Sequence, residues 1–233
     1  MSQLASVGRF CRKAGMSKTR IVLVRHGESI VTVNRILGGP RTCSGLSELG
    51  KLQAARLRDR LAHTRELDVD ILMSSGFPRA RETAEIIAPA LSSLPISIDT
   101  GFGEHDPGPE CDGLTFDEFV RRHGTPNWAG DPNAVFFPGG ETIAQFHRRV
   151  SEALNQVLRK HAGKSVLIAC HGGVVDAILR TTMQTPPTGA FEVHTKNCSI
   201  TELVEVRAGH FAIVRYNDHA HLHGLPSATN IAN

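Results

Sequence analysis

Ile21-Val22-Leu23-Val24-Arg25-His26-Gly27 decides the reading of this chain. Four consecutive apolar residues, three of them β-branched, suit a strand buried on both faces, as in a parallel sheet. The run ends in Arg25 and His26, so polar chemistry falls at the carboxyl end of the strand. A second stretch has the same design: Ser165-Val166-Leu167-Ile168-Ala169-Cys170 leads into His171-Gly172-Gly173. Between and around them, helical and strand patterns alternate. Helix is expected over 47–63, strand over 70–75, helix over 80–91 with Pro78 in its first turn, and a short strand at 96–98. Thr142-x-x-Gln145 is a capping box opening the longest helix, whose apolar face is Ile143, Phe146, Val150, Leu154, Val157 and Leu158. Gly163 is its expected stop. A further helix follows over 174–181. Strands at 200–206 and 211–216, joined near Gly209, form a hairpin-like pair at the sheet edge. The expected class is α/β: one three-layer domain, a mostly parallel sheet flanked by helices, and the last strand antiparallel at the edge.

The 233 residues amount to about one and a half domains at about 150 residues each. No repeat or linker-like shift divides the chain, so one domain is expected over 20–222, with tails at 1–19 and 223–233. Residues 101–139 are rich in Gly, Pro and Asp, with one short helix behind a Thr115-x-x-Glu118 capping box. So long an excursion in a compact domain points to function. Hydrophobic residues make up 40% and charged residues 21%, enough apolar material for a core and too little charge for disorder. Twenty-six Lys and Arg against 23 Asp and Glu give +3, too small an excess to argue for nucleic acid or an anionic membrane. No apolar run approaches a membrane span. The 5 cysteines lie far apart without a Cys-x-x-Cys pair, which fits a reducing, cytoplasmic setting and argues against zinc-ribbon and thioredoxin chemistry.

In open α/β sheets ligands bind beyond the carboxyl ends of the strands. His26 and His171 both stand there, each followed by Gly, which lets a backbone approach a ligand closely. Arg25 adjoins His26, and Arg79 follows the second strand in Ser74-Ser75-Gly76-Phe77-Pro78-Arg79-Ala80. Two Arg and two His at strand ends make a pocket for a dianion such as a phosphoryl group. A lone Arg-His-Gly or His-Gly-Gly is usually structural; all of them at strand ends together is a rarer coincidence. His219, His221 and His223 alternate near the terminus like a metal cluster, but such histidines are more often solvated, and no metal ligand set is assigned. Arg56, Arg58 and Arg60 read as an exposed helix face.

These segments resemble the histidine phosphatase superfamily, in its phosphoglycerate-mutase-like branch. Arg25-His26-Gly27-Glu28-Ser29 is similar to its opening signature, and Ser74-Ser75-x-x-x-Arg79-Ala80-x-x-Thr83-Ala84 to its second motif. Glu104-x-x-x-Gly108-x-x-x-x-Gly113-Leu114 resembles its acidic loop. Pro138-Gly139-Gly140-Glu141-Thr142, the His171 segment, Asn197-Cys198-Ser199-Ile200 and Asn217-Asp218-x-x-His221-Leu222 complete the likeness over about 20–222. The resemblance implies His26 as nucleophile, Arg25, Arg79 and His171 as phosphoryl ligands, and Glu104 as general acid and then base. No cofactor is implied. The family often carries a further phosphate ligand, an Asn six residues after the nucleophile; here that position is Thr32, and Asn34 two residues on is preferred as substrate-binding residue. Asp106 and Glu110 are alternative acids, and His105 is read as a solvated neighbour of Glu104. The implied function is hydrolysis of a small phosphorylated metabolite through phosphohistidine. The alternatives are a cofactor-dependent phosphoglycerate mutase, whose acidic segment usually reads differently, and a non-catalytic phosphoryl-binding module. Specificity is expected from 101–139 and the 34–44 loop.

Overall fold

The opening apolar run sits at the centre of the molecule, with Ile21, Val22, Leu23 and Val24 fully buried. Burial of each such side chain contributes roughly 1.5–3 kcal/mol. The computed structural model describes residues 18–226. Its elements are β1 (Arg20–Arg25), the single turn α1 (Ile30–Val33), α2 (Glu48–Thr64), β2 (Ile71–Ser74), α3 (Pro78–Ile87), β3 (Ile96–Ile98), the turn α4 (Gly108–Cys111), α5 (Phe116–His123), α6 (Ile143–Lys160), β4 (Ser165–Cys170), α7 (Gly172–Met183), β5 (Ile200–Arg207) and β6 (His210–Asp218).

One six-stranded sheet runs in the order β3-β2-β4-β1-β5-β6. The first four strands in that order are parallel, β5 pairs antiparallel with β1, and β6 closes the edge antiparallel to β5. Alternation along β1 feeds two cores. Ile21 and Leu23 pack with Phe146, Val150 and Leu154 of α6 and Val174 and Ile178 of α7. Val22 and Val24 pack with Leu57 and Leu61 of α2 and Ala84 and Ile87 of α3. The three layers are therefore helix, sheet and helix, as expected.

The expected helix over 80–91 is shorter. After Ile87 the chain tightens into a 3-10 turn at Ala88–Leu91, because Pro89 has no N–H to continue the α-helical ladder. The Thr142 capping box is complete, with Thr142 N–H donating to Gln145 Oε1 at 2.8 Å and Gln145 N–H to Thr142 Oγ1 at 3.2 Å. At α5 Thr115 accepts from Glu118 N–H without the reciprocal backbone bond.

The 101–139 excursion has structure of its own. Cys111, Phe119 and Phe137 form a small third core. A short antiparallel contact joins it to the loop after α1: Leu37 N–H donates to Leu114 O at 2.8 Å and Gly113 N–H to Leu37 O at 3.0 Å. Asp112 then pins that loop by accepting from Gly39 and Arg41 N–H, each at 2.9 Å, and from the Thr42 hydroxyl. Burial alone would raise its pKa, but these donors outweigh burial and hold it below the usual carboxylate range.

The tails expected at 1–19 and 223–233 fall largely outside the described residues. Within them, Thr19 belongs to the domain: it is buried and its Oγ1 accepts from Gly163 N–H at 3.0 Å. Arg60 does not lie on a merely exposed basic face. It donates to Glu66 and Asp218, and Arg215 links Glu66 to the buried Glu202. His221 is tucked against this network, 3.3 Å from Arg60. Among the described residues, no group of three His, Cys, Asp or Glu side chains is placed to hold a metal ion, and no helix is long and apolar enough to cross a membrane. Cys43, Cys111, Cys170 and Cys198 are buried free thiols.

His147 on α6 gives the fold an acid-sensitive point. Burial, then Arg180 and His105, push its pKa down to about 4, and the nearby Asp176 carboxylate is spent on Arg180. Between about pH 6.5 and 4 the unfolded chain therefore binds a proton that the native chain does not, and stability falls as pH drops through this window. Denaturant unfolding at pH 7, 6 and 5 should show that loss. H147Q should flatten the slope by up to about 1.4 kcal/mol per pH unit; an unchanged slope would contradict the assignment.

Candidate active site

The register places the two histidines side by side. Arg25 of β1 pairs with Cys170 of β4, so His26 and His171 leave adjacent parallel strands together. Their ring centroids are 5.0 Å apart and both side chains are buried. Arg79, in the first turn of α3, reaches between them: its Nε donates to His26 Nε2 at 3.2 Å and to His171 Nδ1 at 3.3 Å. His26 Nδ1 lies 2.6 Å from Gly27 O, so Nδ1 carries the proton and Nε2 presents a lone pair. His171 takes the opposite tautomer: with Nδ1 accepting from Arg79, Nε2–H donates to Ser75 Oγ at 2.7 Å. Burial first, then Arg79, holds both imidazoles well below the usual histidine pKa. Arg25 also reaches the start of α7, where its Nε lies 3.6 Å from the position a Gly172 Cβ would take. Its Nη1 donates to Thr195 O. Burial lowers its pKa, and Glu104 opposes that shift.

Glu104 faces this cluster from the excursion. Its Oε2 accepts from Gly173 N–H at 3.1 Å, at the start of α7, and its Oε1 from His105 N–H at 3.1 Å. A Cβ at position 173 would lie 2.4 Å from Glu104 Oε1, so only glycine lets the carboxylate sit there. The close approach made by Gly173 is thus to Glu104. The one made by Gly27 is to α2, where a Cβ would lie 2.5 Å from Gly50 O.

Arg25, His26, Arg79, His171 and Glu104 are therefore brought together. Asn34 is not among them. It is exposed at the end of α1, and its side chain makes no described contact with the cluster. Thr32 bonds Ser29 Oγ at 2.8 Å. What this loop delivers to the cluster is a carbonyl, Gly38 O, which accepts from Arg79 Nη1 at 3.0 Å. His105 is not a solvated neighbour. Its ring stacks on Phe146 at 5.4 Å, meets Phe137 edge-on, and bonds Glu141 O at 2.7 Å. Asp106 lies beside Glu104, whereas Glu110 is exposed on α4.

Three supporting residues carry no role in the sequence reading. Asn197 donates to His26 O at 2.9 Å, and Thr83 Oγ1 accepts from Gly27 N–H at 3.1 Å. The third is Arg149 of α6. Its Nε and Nη2 grip Glu141, each at 2.7 Å. Its Nη1 donates to Gly101 O at 2.9 Å and Gly103 O at 3.0 Å, and Nη2 to Glu104 O at 3.2 Å. All five guanidinium N–H groups are used, and they fix the segment that carries Glu104. Arg149 gives one sequence signal, a charge set between the buried Phe146 and Val150. Because it acts by placing Glu104, R149M should lower turnover of alkyl phosphates at least about tenfold and that of nitrophenyl phosphate less. R149K, with three donors in place of five, should not rescue it. Equal losses on both ester types would count against this positioning role.

Parallel strands ending in an Arg-His and a His-Gly-Gly segment, with an arginine bridging the imidazoles, gather a buried cationic cluster at the carboxyl ends of the two central strands, where ligands of open α/β sheets bind. The profile of the histidine phosphatase superfamily (branch 1) matches residues 21–219, and the chain belongs to that family. It is 31% identical over 161 residues to phosphoglycerate mutase-like protein 4 of Arabidopsis thaliana, covering 68% of each chain. It is 30% identical over 188 residues to a probable phosphoglycerate mutase, GpmB, of Salmonella choleraesuis, covering 79% of this chain and 84% of that one. Among solved structures it resembles YhfR of Bacillus stearothermophilus, with a TM-score of 0.70, 27% identity, and 88% and 99% of the two chains covered. A phosphoserine phosphatase variant from Entamoeba histolytica, in complex with phosphoserine, shares the fold with a TM-score of 0.71 at 22% identity, covering 88% and 99%.

Proposed function

We propose that this protein hydrolyses small phosphate monoesters through a phosphohistidine at His26. The observation that carries this reading is the His26 Nε2 lone pair, held by the Nδ1 contact to Gly27 O and facing the guanidinium of Arg79. A neutral imidazole is a competent nucleophile, and fixed cations stabilise the transferring phosphoryl oxygens. Nε2 attacks phosphorus as the P–O bond to the leaving alcohol breaks, and Glu104 gives that oxygen its proton. Water then attacks phosphorus, Glu104 takes its proton, and the P–N bond breaks to release phosphate. Arg25, Arg79 and His171 hold the phosphoryl oxygens, and Asn34 is dropped from that role.

The mutase names of the relatives favour a second reading, phosphoryl transfer between sites on phosphoglycerate. Release of inorganic phosphate from a panel of phosphorylated metabolites separates the two. Hydrolysis should proceed without a bisphosphorylated primer and survive chelation. Turnover that requires the primer would establish the mutase, and activity lost to chelator and restored by zinc or magnesium would overturn the mechanism.

A further inference from the structure

A cavity of about 390 Å³ opens beside Glu104, the residue proposed to protonate the leaving alcohol. Pro40 and Phe77 supply apolar wall, and its charged side chains are Glu104, Asp106, Glu141 and Arg149. Arg149 has no free donor, since all five N–H groups are committed to Glu141 and to three carbonyls. Glu141 is also spent, on Arg149 and on Asp106 N–H at 3.1 Å. Asp106 differs. Its Oδ1 accepts from Gly108 N–H at 2.9 Å, and its Oδ2 accepts from no described residue. Asp106 and Glu141 against the one guanidinium of Arg149 leave this wall at −1 before Glu104 is counted.

We propose that this cavity selects phosphate monoesters whose leaving alcohol carries a protonated amine, and disfavours those carrying a carboxylate. The inference rests on the site acting on phosphate monoesters. The two ends of the site then have opposite sign. Arg25 and Arg79 take the phosphoryl dianion, and Asp106 takes the ammonium. A carboxylate in the same place would meet Asp106, while Arg149, the one cation among the described lining residues, is fully committed, and desolvating the carboxylate there is costly. Apart from the arginines proposed to hold the phosphoryl group, a cation beside this wall is Arg41, which follows the lining residue Pro40 in the chain. It is 55% exposed, and already shared between Asp112 and Gly108 O.

The test uses ω-aminoalkyl, alkyl and ω-carboxyalkyl phosphates of two to five carbons. In the wild type, kcat/KM for the best amine should exceed that for the alkyl ester of equal length about tenfold, with the carboxylate lowest. D106N should bring the amine-to-alkyl ratio to within about threefold of one; reading a ratio inside one variant cancels any loss of folded protein. Binding of the same esters to H26A, measured by calorimetry, should follow the same order without turnover. No turnover of any ester, with that binding order intact, would overturn the hydrolase reading and leave the selectivity standing. Turnover with the carboxylates preferred, or an amine-to-alkyl ratio near one in the wild type, would overturn the selectivity and leave the hydrolase. Loss of a carboxylate preference in R41A would assign recognition to the rim arginine.

Discussion

His26→Ala should lose at least about 10⁴-fold in turnover of every phosphate ester, because it removes the imidazole proposed to take the phosphoryl group covalently. The loss should fall on kcat, and phosphate should still bind. Arg79 keeps its bond to His171, and Arg25 keeps its bond to Thr195 O, when the His26 ring is gone. Removing a buried ring also leaves a cavity, so some stability will be lost. His26→Gln, closer in volume, controls for that. Both variants should give a native circular dichroism spectrum and a melting temperature that rises with added phosphate. Retention of more than a few per cent of activity in either would remove His26 from the nucleophile's role.

The next largest effect is expected at Glu104, and it should depend on the leaving group. An alkoxide is a poor leaving group and needs its proton in the transition state; a nitrophenolate needs it far less. Glu104→Gln should slow phosphoryl transfer from alkyl esters by about 10² to 10⁴-fold, and transfer from nitrophenyl phosphate much less. The glutamine can still accept from Gly173 N–H, so the start of α7 should hold its place. Water attack on phosphohistidine should slow for all substrates. Rapid mixing with nitrophenyl phosphate should therefore give a burst of nitrophenol and then slow turnover. Equal slowing of the first step for both ester types would point away from Glu104, first to Asp106 and then to Glu110.

The sheet was readable because its centre is written in the plainest local code. β1 and β4 are unbroken apolar runs, and each ends where a charged or imidazole side chain must leave the core. From that, the pairing of His26 with His171 follows as soon as the strands are neighbours. The end of α3 was not read: the helical pattern runs on to Leu91, and the stop set by Pro89 went unused. The excursion was harder to read. Its order comes from contacts between distant segments, such as Leu37 with Leu114 and Asp112 with Gly39, which no periodicity announces. The exposed position of Asn34 was hidden for the same reason, since α1 and the loop behind it set which atoms face the pocket. Arg149 acts mainly on backbone carbonyls 45 to 48 residues away, and a carbonyl carries no residue identity. His105 read as a surface residue beside an acid, and the three aromatic rings that enclose it come from 128, 137 and 146.

The phosphohistidine itself can be caught. Glu104→Gln protein, mixed with nitrophenyl phosphate and quenched in alkali within the burst, should carry close to one phosphoryl group per chain. That group should be stable to base and labile to acid, as expected of a P–N bond. Peptide mass spectrometry should place it on His26 alone, and H26A treated in the same way should carry none. Phosphate found on another residue, or a burst of product with no covalent phosphate, would contradict the account.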